Sequence, residues 1–242
     1  VRLAGGRAEW YRNRFVQTPN ITDPAGLERD NSGGNPVGDL RRGTGNTHVV
    51  AHNGEILALE EGHWPWRLDN ELNTLGVQNY DGALTCAMTA HPKVCPVTGE
   101  LLAFSYLNPG PEFLRYIRVS ADGQVQQIEG IELPNMVMMH DFNVTRNHVI
   151  FMDLPVVFDL ARLETGLPFQ WDREAGARLG VMPRNGGSAD IRWFDIEPCF
   201  VFHPVTAHED GNRIVITVSR QKEAFGTSND DYAEVGRLFR WT

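Results

Sequence analysis

Long hydrophobic runs are missing from this sequence of 242 residues. No segment approaches the roughly 18 uninterrupted apolar residues of a membrane-spanning helix, so no such helix is predicted. An excess of basic residues is missing too, since 22 lysines and arginines stand against 31 aspartates and glutamates, for a net charge of -9. Phosphates and acidic lipids select basic patches. The composition therefore argues against a surface that binds nucleic acid or an anionic membrane.

Cysteine is scarce, and no CxxC pair occurs. The three cysteines are Cys86, Cys95 and Cys199. Their odd number and their spacing predict reduced thiols and a cytoplasmic location. The sequence also lacks a P-loop, a GxGxxG segment and a nucleophile elbow, which argues against the nucleotide-binding and hydrolase sites that these motifs form.

Strand-like segments make up most of the sequence. They alternate apolar and polar residues and are rich in β-branched and aromatic side chains. Turn-forming dipeptides separate them, at Gly5-Gly6, Asn53-Gly54, Asp122-Gly123 and Asp210-Gly211. Because long amphipathic helices do not alternate with the strands, a parallel α/β sheet is not expected. The least strand-like stretch, residues 158–180, is where a short helix or a long loop is expected.

A repeat of histidine, turn and apolar strand occurs three times. The histidines are His91, His140 and His203, which lie 49 and 63 residues apart, and an apolar strand begins 9 to 11 residues after each. A period of about 50 residues, with four short strands in each repeat, is typical of a β-propeller, whose blades are arranged around a central axis. Histidines at equivalent positions would meet at that axis. Since neutral imidazole is a common ligand of iron, zinc and copper, the repeat predicts a metal site. The other five histidines do not share this register, and we expect them to have surface or packing roles.

The two ends of the sequence suggest a fragment. Val1 is not a methionine, and the sequence begins directly in a predicted hairpin; the final residues, EVGRLFRWT, stop within a strand-like run. We therefore expect residues 1–242 to form a single incomplete β-propeller domain, truncated at both ends, from the middle of a longer protein.

Several ordered segments resemble those of the carotenoid cleavage oxygenases, the retinal pigment epithelial membrane protein family. They are TAHPKVCPVTGEL, MMHDFNVTRNHVIFMDLPVVFD and RWFDIEPCFVFHP, together with WYRNRFVQTP and NTHVVAHNGEILALEEG nearer the start. The resemblance covers nearly the whole chain. It implies an all-β fold of the seven-bladed β-propeller family, here a fragment of several blades, and a cofactor, Fe(II), held by four histidines on the axis.

The resemblance also implies roles for individual residues. His91, His140 and His203 match the first three iron ligands, and no candidate for the fourth follows His208, so the fourth is expected outside this chain. Glu61 matches a glutamate that accepts a hydrogen bond from a ligand imidazole, which fixes the tautomer of the ring; the family's other such glutamates would fall beyond residue 242. Thr47 matches a threonine that approaches the iron and restricts one open coordination position. The alternatives are a strand-end carboxylate for Glu61 and an ordinary strand threonine for Thr47.

The implied activity is oxidative cleavage of a carbon–carbon double bond, in which both atoms of O2 enter the bond and two carbonyl products leave. Two substrate classes compete: carotenoids or apocarotenoids, and hydroxylated stilbenes. Stilbene-cleaving (lignostilbene-type) members carry a lysine just before the glutamate that Glu61 matches, and this sequence has Glu60 there. An acidic group would repel a phenolate, so we favour an apolar polyene, selected by an apolar tunnel. Phe142 is a candidate for that tunnel or for the core.

Two further alternatives remain at this point. A propeller can be a binding module without catalysis, because the fold alone does not decide function. A hydrolytic zinc site is the other, although it would normally need a carboxylate base beside the metal. A peripheral membrane contact for substrate uptake is a further expectation, and it would involve residues outside this sequence.

Overall fold

The computed structural model describes residues 1–23, 38–108, 110–159, 162, 168–225 and 235–242, and within them the chain is almost entirely β-structure. The strands are β1 (Arg2–Ala4), β2 (Arg7–Trp10), β3 (His48–His52), β4 (Glu55–Leu59), β5 (Trp66–Leu68), β6 (Thr74–Val77), β7 (Lys93–Val94), β8 (Leu101–Ser105), β9 (Leu114–Val119), β10 (Val125–Ile131), β11 (Asn143–Val144), β12 (His148–Asp153), β13 (Val156–Phe158), β14 (Phe169–Trp171), β15 (Arg178–Pro183), β16 (Arg192–Asp195), β17 (Pro204–Asp210), β18 (Arg213–Arg220) and β19 (Arg237–Trp241).

The strands form successive antiparallel sheets along the chain. The first blade contains β3 to β6, the second β7 to β10, and the third β11, β12, β15 and β16; a fourth sheet has three described strands, β17 to β19. Two separate hairpins, β1–β2 and β13–β14, complete the described sheets. Sheets of four antiparallel strands that follow one another in sequence are the blades of a propeller. The predicted all-β fold, a fragment of several blades, is confirmed.

The turn dipeptides act as the sequence predicts. Asn53 and Gly54 both have positive φ, 48° and 73°, and join β3 to β4 in register. Gly5 and Gly6 join β1 to β2 in the same way, with φ of 55° and 73°. Two successive residues with positive φ give the turn whose twist matches that of the flanking strands, and asparagine and glycine adopt this conformation at the lowest cost.

Helical structure in the described ranges is short. It consists of an α-helix at Pro19–Thr22 and 3-10 turns at Leu40–Arg42, Arg173–Ala175 and Ser188–Asp190. The stretch 158–180 differs from the expectation, because it contains strand β14 paired with β13 in addition to a 3-10 turn; its residues 160, 161 and 163–167 lie outside the described part. No helix within the described residues is long and apolar enough to cross a membrane.

The hydrophobic core lies between neighbouring blades. Leu102, Phe104 and Tyr116 of the second blade pack against Phe142 and Phe151 of the third, all of them fully buried. Similar clusters join the first blade to the second and the third to the fourth. Burying a side chain of this size stabilises the fold by about 1.5–3 kcal/mol. This packing holds neighbouring blades side by side, and it thereby determines how close together the starts of their first strands lie.

Candidate metal centre

Each of the three repeat histidines lies just before the first strand of its blade. His91 precedes β7, His140 precedes β11 and His203 precedes β17. These are equivalent positions in three successive blades, so the packing between the blades brings the rings together. The ring centroids lie 4.6 Å apart for His91 and His203, 4.7 Å for His91 and His140, and 4.8 Å for His140 and His203.

The three rings could hold one ion. One nitrogen from each ring can be chosen so that all lie within 4.8 Å of one another, and the Nε2 atoms of His91 and His140 are 3.1 Å apart. Two nitrogen ligands at right angles, each about 2.1 Å from an ion, are separated by about 3 Å. The observed separation therefore fits a shared metal. The structure brings the histidines together as the repeat predicts, and their role as ligands stays a prediction.

A carboxylate lies behind His140. Oε1 of Glu61 contacts Nδ1 of the His140 ring, and the hydroxyl of Tyr106 donates to Oε2 of the same carboxylate. Burial, reinforced by the negative charge of Glu61, raises the pKa of Tyr106, so its hydroxyl keeps its proton and remains a donor. A carboxylate at Nδ1 favours the tautomer with the proton on that atom, which leaves the lone pair of Nε2 directed at the other histidines. Glu61 therefore lies beside His140, and its role behind a metal ligand stays a prediction.

A second carboxylate, which sequence analysis does not predict, lies behind His203. Nδ1 of His203 is 3.1 Å from Oδ2 of Asp141, and the other oxygen of Asp141 accepts from Nζ of Lys93 at 2.7 Å. Asp141 is buried. In the sequence, Asp141 directly follows His140 and Lys93 comes two residues after His91, which pairs the two charges through the repeat but does not indicate the contact with His203. A negative residue thus lies beside His140 and a positive one near His91.

His91 is in a different environment from the other two. Burial lowers its pKa to about 4, a shift that the neighbouring Asp141 opposes and that His140 and His203 reinforce. At neutral pH the ring is therefore uncharged, as a metal ligand must be. His48, the first residue of β3, stacks on His91 with ring centroids 5.9 Å apart and is held by a 2.8 Å hydrogen bond between Nδ1 and the carbonyl of Ala90. Sequence analysis predicts a surface or packing role for His48, and its stacking on a candidate ligand is a finding of the structure.

Other candidate residues have local partners. Thr47 is exposed, and its hydroxyl donates to Asn46 at 3.1 Å, so its role at the metal stays a prediction. The Glu60 carboxylate contacts Nδ1 of His63 and accepts from the backbone of Gly62. Phe142 is fully buried in the cluster between the second and third blades, which identifies it as a core residue.

Most of the remaining histidines also have defined contacts. Nε2 of His52 is 3.1 Å from the carbonyl of Gly99, and Nδ1 of His148 is 3.0 Å from Glu209. His208 is exposed on β17. These contacts agree with the surface and packing roles expected for them.

Comparisons with known proteins agree on one family. The model of the retinal pigment epithelial membrane protein family matches residues 1–240. A carotenoid cleavage oxygenase of Mycobacterium tuberculosis is 35% identical over 289 aligned positions, which cover the whole chain and 58% of that protein. A carotenoid 9,10(9',10')-cleavage dioxygenase of Crocus sativus is 41% identical over 74% of the chain and 34% of its own length.

A solved structure gives the same result at the level of the fold. The lignostilbene dioxygenase of Pseudomonas brassicacearum superposes with a TM-score of 0.81 at 30% identity, over 94% of this chain and 52% of that one. The chain thus spans between about a third and somewhat more than half of the length of these relatives.

Proposed function

The chain belongs to the retinal pigment epithelial membrane protein family, and from that premise we propose that the protein is an Fe(II)-dependent dioxygenase. Its reaction would be the cleavage of a carbon–carbon double bond of a carotenoid or apocarotenoid to two carbonyl products. The observation that carries the proposal is the convergence of His91, His140 and His203 from three successive blades. Fe(II) in such a site would supply the activation of O2.

The residues of this chain would hold and orient the metal. His91, His140 and His203 would be ligands, and Glu61 would keep the proton of His140 on Nδ1 so that Nε2 stays free to bind. Imidazole ligands carry no charge, so carboxylates behind the rings also offset the charge of the cation. Double-bond cleavage by O2 needs no side chain as a general base, and a group of three histidines would serve it as metal ligands.

The substrate class is proposed from the surroundings of Glu61. A phenolic stilbene would need a cationic or neutral donor near its hydroxyl, whereas the preceding residue is Glu60, whose carboxylate is already engaged by His63. A negative charge at this place repels a phenolate and has no comparable effect on an apolar polyene. The similarity to a carotenoid 9,10(9',10')-cleavage dioxygenase supports the same choice.

A stilbene is the second candidate. It is favoured by one specific observation, the close superposition with a lignostilbene dioxygenase. Both substrates offer a conjugated double bond to the same site, so the two proposals differ in what binds around the metal and not in the chemistry at it.

The test is product analysis with the complete protein. Iron-loaded protein is incubated with β-carotene, an apocarotenal and a hydroxylated stilbene, and the aldehyde products are identified by mass spectrometry. We expect one iron per chain and cleavage of a polyene, with both abolished in His140→Ala. Cleavage of the stilbene alone would establish the second candidate. Protein without iron and without products would instead identify a binding module.

A further inference from the structure

We propose that Tyr106 is a positioning residue for the metal centre, whose hydroxyl holds the carboxylate of Glu61 in the direction of His140. This inference rests on the proposed iron site, and it adds a residue that lies one contact beyond the ligands and Glu61. Tyr106 acts through Glu61: among the described residues, its hydroxyl and its ring contact Glu61 and other aromatic side chains, and not the histidine cluster.

The contacts of Glu61 form a line through three successive blades. Tyr106 directly follows β8 of the second blade, Glu61 lies two residues after β4 of the first, and His140 precedes β11 of the third. The hydroxyl of Tyr106 donates to Oε2 of Glu61, and Oε1 of the same carboxylate contacts Nδ1 of His140. A glutamate of the first blade is thus held from the second blade and contacts a histidine of the third.

The carboxylate of Glu61 needs a contact at each oxygen to keep a fixed direction. A glutamate side chain has several rotatable bonds, so a contact at one oxygen alone lets the carboxylate turn about it. Oε1 of Glu61 and Nδ1 of His140 are both shielded from solvent, so water cannot take the place of either atom. Among the described residues, Tyr106 is the one that donates to Oε2. Its hydroxyl therefore supplies the second fixed point, which directs Oε1 at His140.

Tyr106 is itself fixed by its surroundings. It is only 3% exposed, and its ring packs against Phe104 and Phe113, with centroids 6.3 Å apart in both pairs. Directly after it the backbone turns at Leu107, which has a φ of 67°. This left-handed conformation is uncommon for a leucine and persists only where the surrounding structure requires it. The surroundings of Tyr106 are therefore complete within this chain, and they fix the position of its hydroxyl oxygen.

The hydroxyl of Tyr106 has no role in packing. The buried cluster around it consists of aliphatic and aromatic side chains, in which the ring of a phenylalanine would fill the same space. A hydroxyl at this place loses its contact with water and is compensated by its hydrogen bond to Glu61. Without that bond, the largely buried carboxylate would turn away or take up a proton. Either change removes the acceptor from Nδ1 of His140, and with it the tautomer and ring orientation that favour a metal at Nε2.

The test compares two buried tyrosines of the same cluster. Tyr116 is the matched control, because it is fully buried in the cluster that contains Tyr106, and its hydroxyl donates to the carbonyl of Arg184 at 2.9 Å instead of to Glu61. Tyr106→Phe and Tyr116→Phe each remove one hydroxyl and keep the ring. In the complete iron-loaded protein, the rate of Fe(II) transfer to an excess of a colorimetric chelator is measured, with the melting temperature of each variant. The visible spectrum of the Co(II)-loaded protein reports the ligand geometry.

We expect Tyr106→Phe to accelerate iron loss by about 10-fold, the lower end of the effect of a partner behind a metal ligand, and to alter the Co(II) spectrum. Tyr116→Phe should lower the melting temperature without either effect. If Tyr106→Phe does not fold, Glu61→Asp carries the test, because it keeps the charge but is one CH2 group shorter and cannot reach both Tyr106 and His140. It should accelerate iron loss more than Tyr116→Phe does.

The outcomes distinguish this inference from the proposed function. Iron retention equal to wild type in Tyr106→Phe, or in Glu61→Asp where that variant carries the test, would overturn the inference alone. Equal acceleration of iron loss in the two tyrosine variants would indicate a general loosening of the cluster and would also overturn it. Faster iron loss from Tyr106→Phe alone, in a protein that cleaves no substrate, would support the inference and refute the proposed cleavage. A wild-type protein that binds neither Fe(II) nor Co(II) would overturn both.

Discussion

Replacing Glu61 with glutamine tests the contact behind His140 with the smallest change of shape. Glu61 has two acceptor oxygens, one facing Nδ1 of His140 and one accepting from Tyr106. Glutamine has a single acceptor oxygen and an NH2 group. If the amide oxygen faces the ring, the NH2 group faces the tyrosine oxygen, which accepts but leaves the hydroxyl proton without its acceptor; in the other orientation the ring N–H of His140 faces the NH2 group. One buried donor is then left without an acceptor, which costs about 1–3 kcal/mol.

The loss should appear in metal retention. Partners of this kind contribute about 10- to 100-fold to metal affinity or activity, which is about 1.4–2.8 kcal/mol and agrees with the cost of the unpaired donor. The structure adds a sharper expectation. Tyr106→Phe removes the second donor, so that the amide oxygen of Glu61→Gln can face His140. The double variant should therefore retain iron better than Glu61→Gln alone.

The assay is iron release to a chelator from the complete protein, with product formation measured in parallel. Glu60→Gln is the matched control for iron release alone, because Glu60 is a similarly buried glutamate that contacts Nδ1 of a histidine, His63, outside the cluster. Equal small effects of the two single variants would refute the reasoning and leave Glu61 as a strand-end carboxylate. Additive effects in the double variant would refute the part that concerns Tyr106.

Three further predictions concern the fold around the site. Burial raises the pKa of the Cys95 thiol, but hydrogen bonds, including one from Arg184, outweigh burial and lower this pKa to about 6. The rate at which a thiol reagent alkylates Cys95 in the native protein should therefore rise with pH and reach a plateau above about pH 6, as followed by mass spectrometry. Burial likewise raises the pKa of Glu209, yet hydrogen bonds, including that of His148, lower it to about 2. The ionised carboxylate of Glu209 therefore stabilises the fold fully at pH values above its ordinary pKa of 4.5, and this stabilisation is lost as the pH falls from 4.5 towards 2. The difference in urea midpoint between wild type and Glu209→Gln should shrink over the same pH range. Phe142→Ala should reduce the free energy of unfolding by about 3–5 kcal/mol in urea titrations, because the ring is fully buried.

The fold follows from the sequence where local chemistry decides it. Asn53-Gly54 predicts its hairpin because both residues accept positive φ, and β3 and β4 pair on either side of the turn without a register shift. Strand β14 is different, since Phe169–Trp171 is only three residues long, too short for its alternation to indicate a strand, and it pairs with β13. That pairing is a tertiary contact, which the local pattern does not contain.

The site could be predicted in part for the same reason. The meeting of His91, His140 and His203 follows from equivalent positions in a repeat. The place of Asp141 does not follow, because the direction of its carboxylate depends on how three blades pack, and its partners lie 48 and 62 residues away in the sequence. An aspartate beside a histidine is otherwise most simply explained as a surface charge. The contact between Tyr106 and Glu61 could not be predicted for the same reason, since the two residues are 45 positions apart in the sequence.

The arrangement of the blades has a consequence for how the molecule folds. Within the first, second and fourth blades, strands that are neighbours in the sequence pair with each other, so most strand pairing closes short loops and has a low entropic cost. The histidine cluster is the opposite case, because its members come from three separate blades. A blade can therefore fold early, but a complete set of ligands arises only after three blades have docked. The rate of metal capture during refolding would then report the docking of the blades and not the formation of the strands.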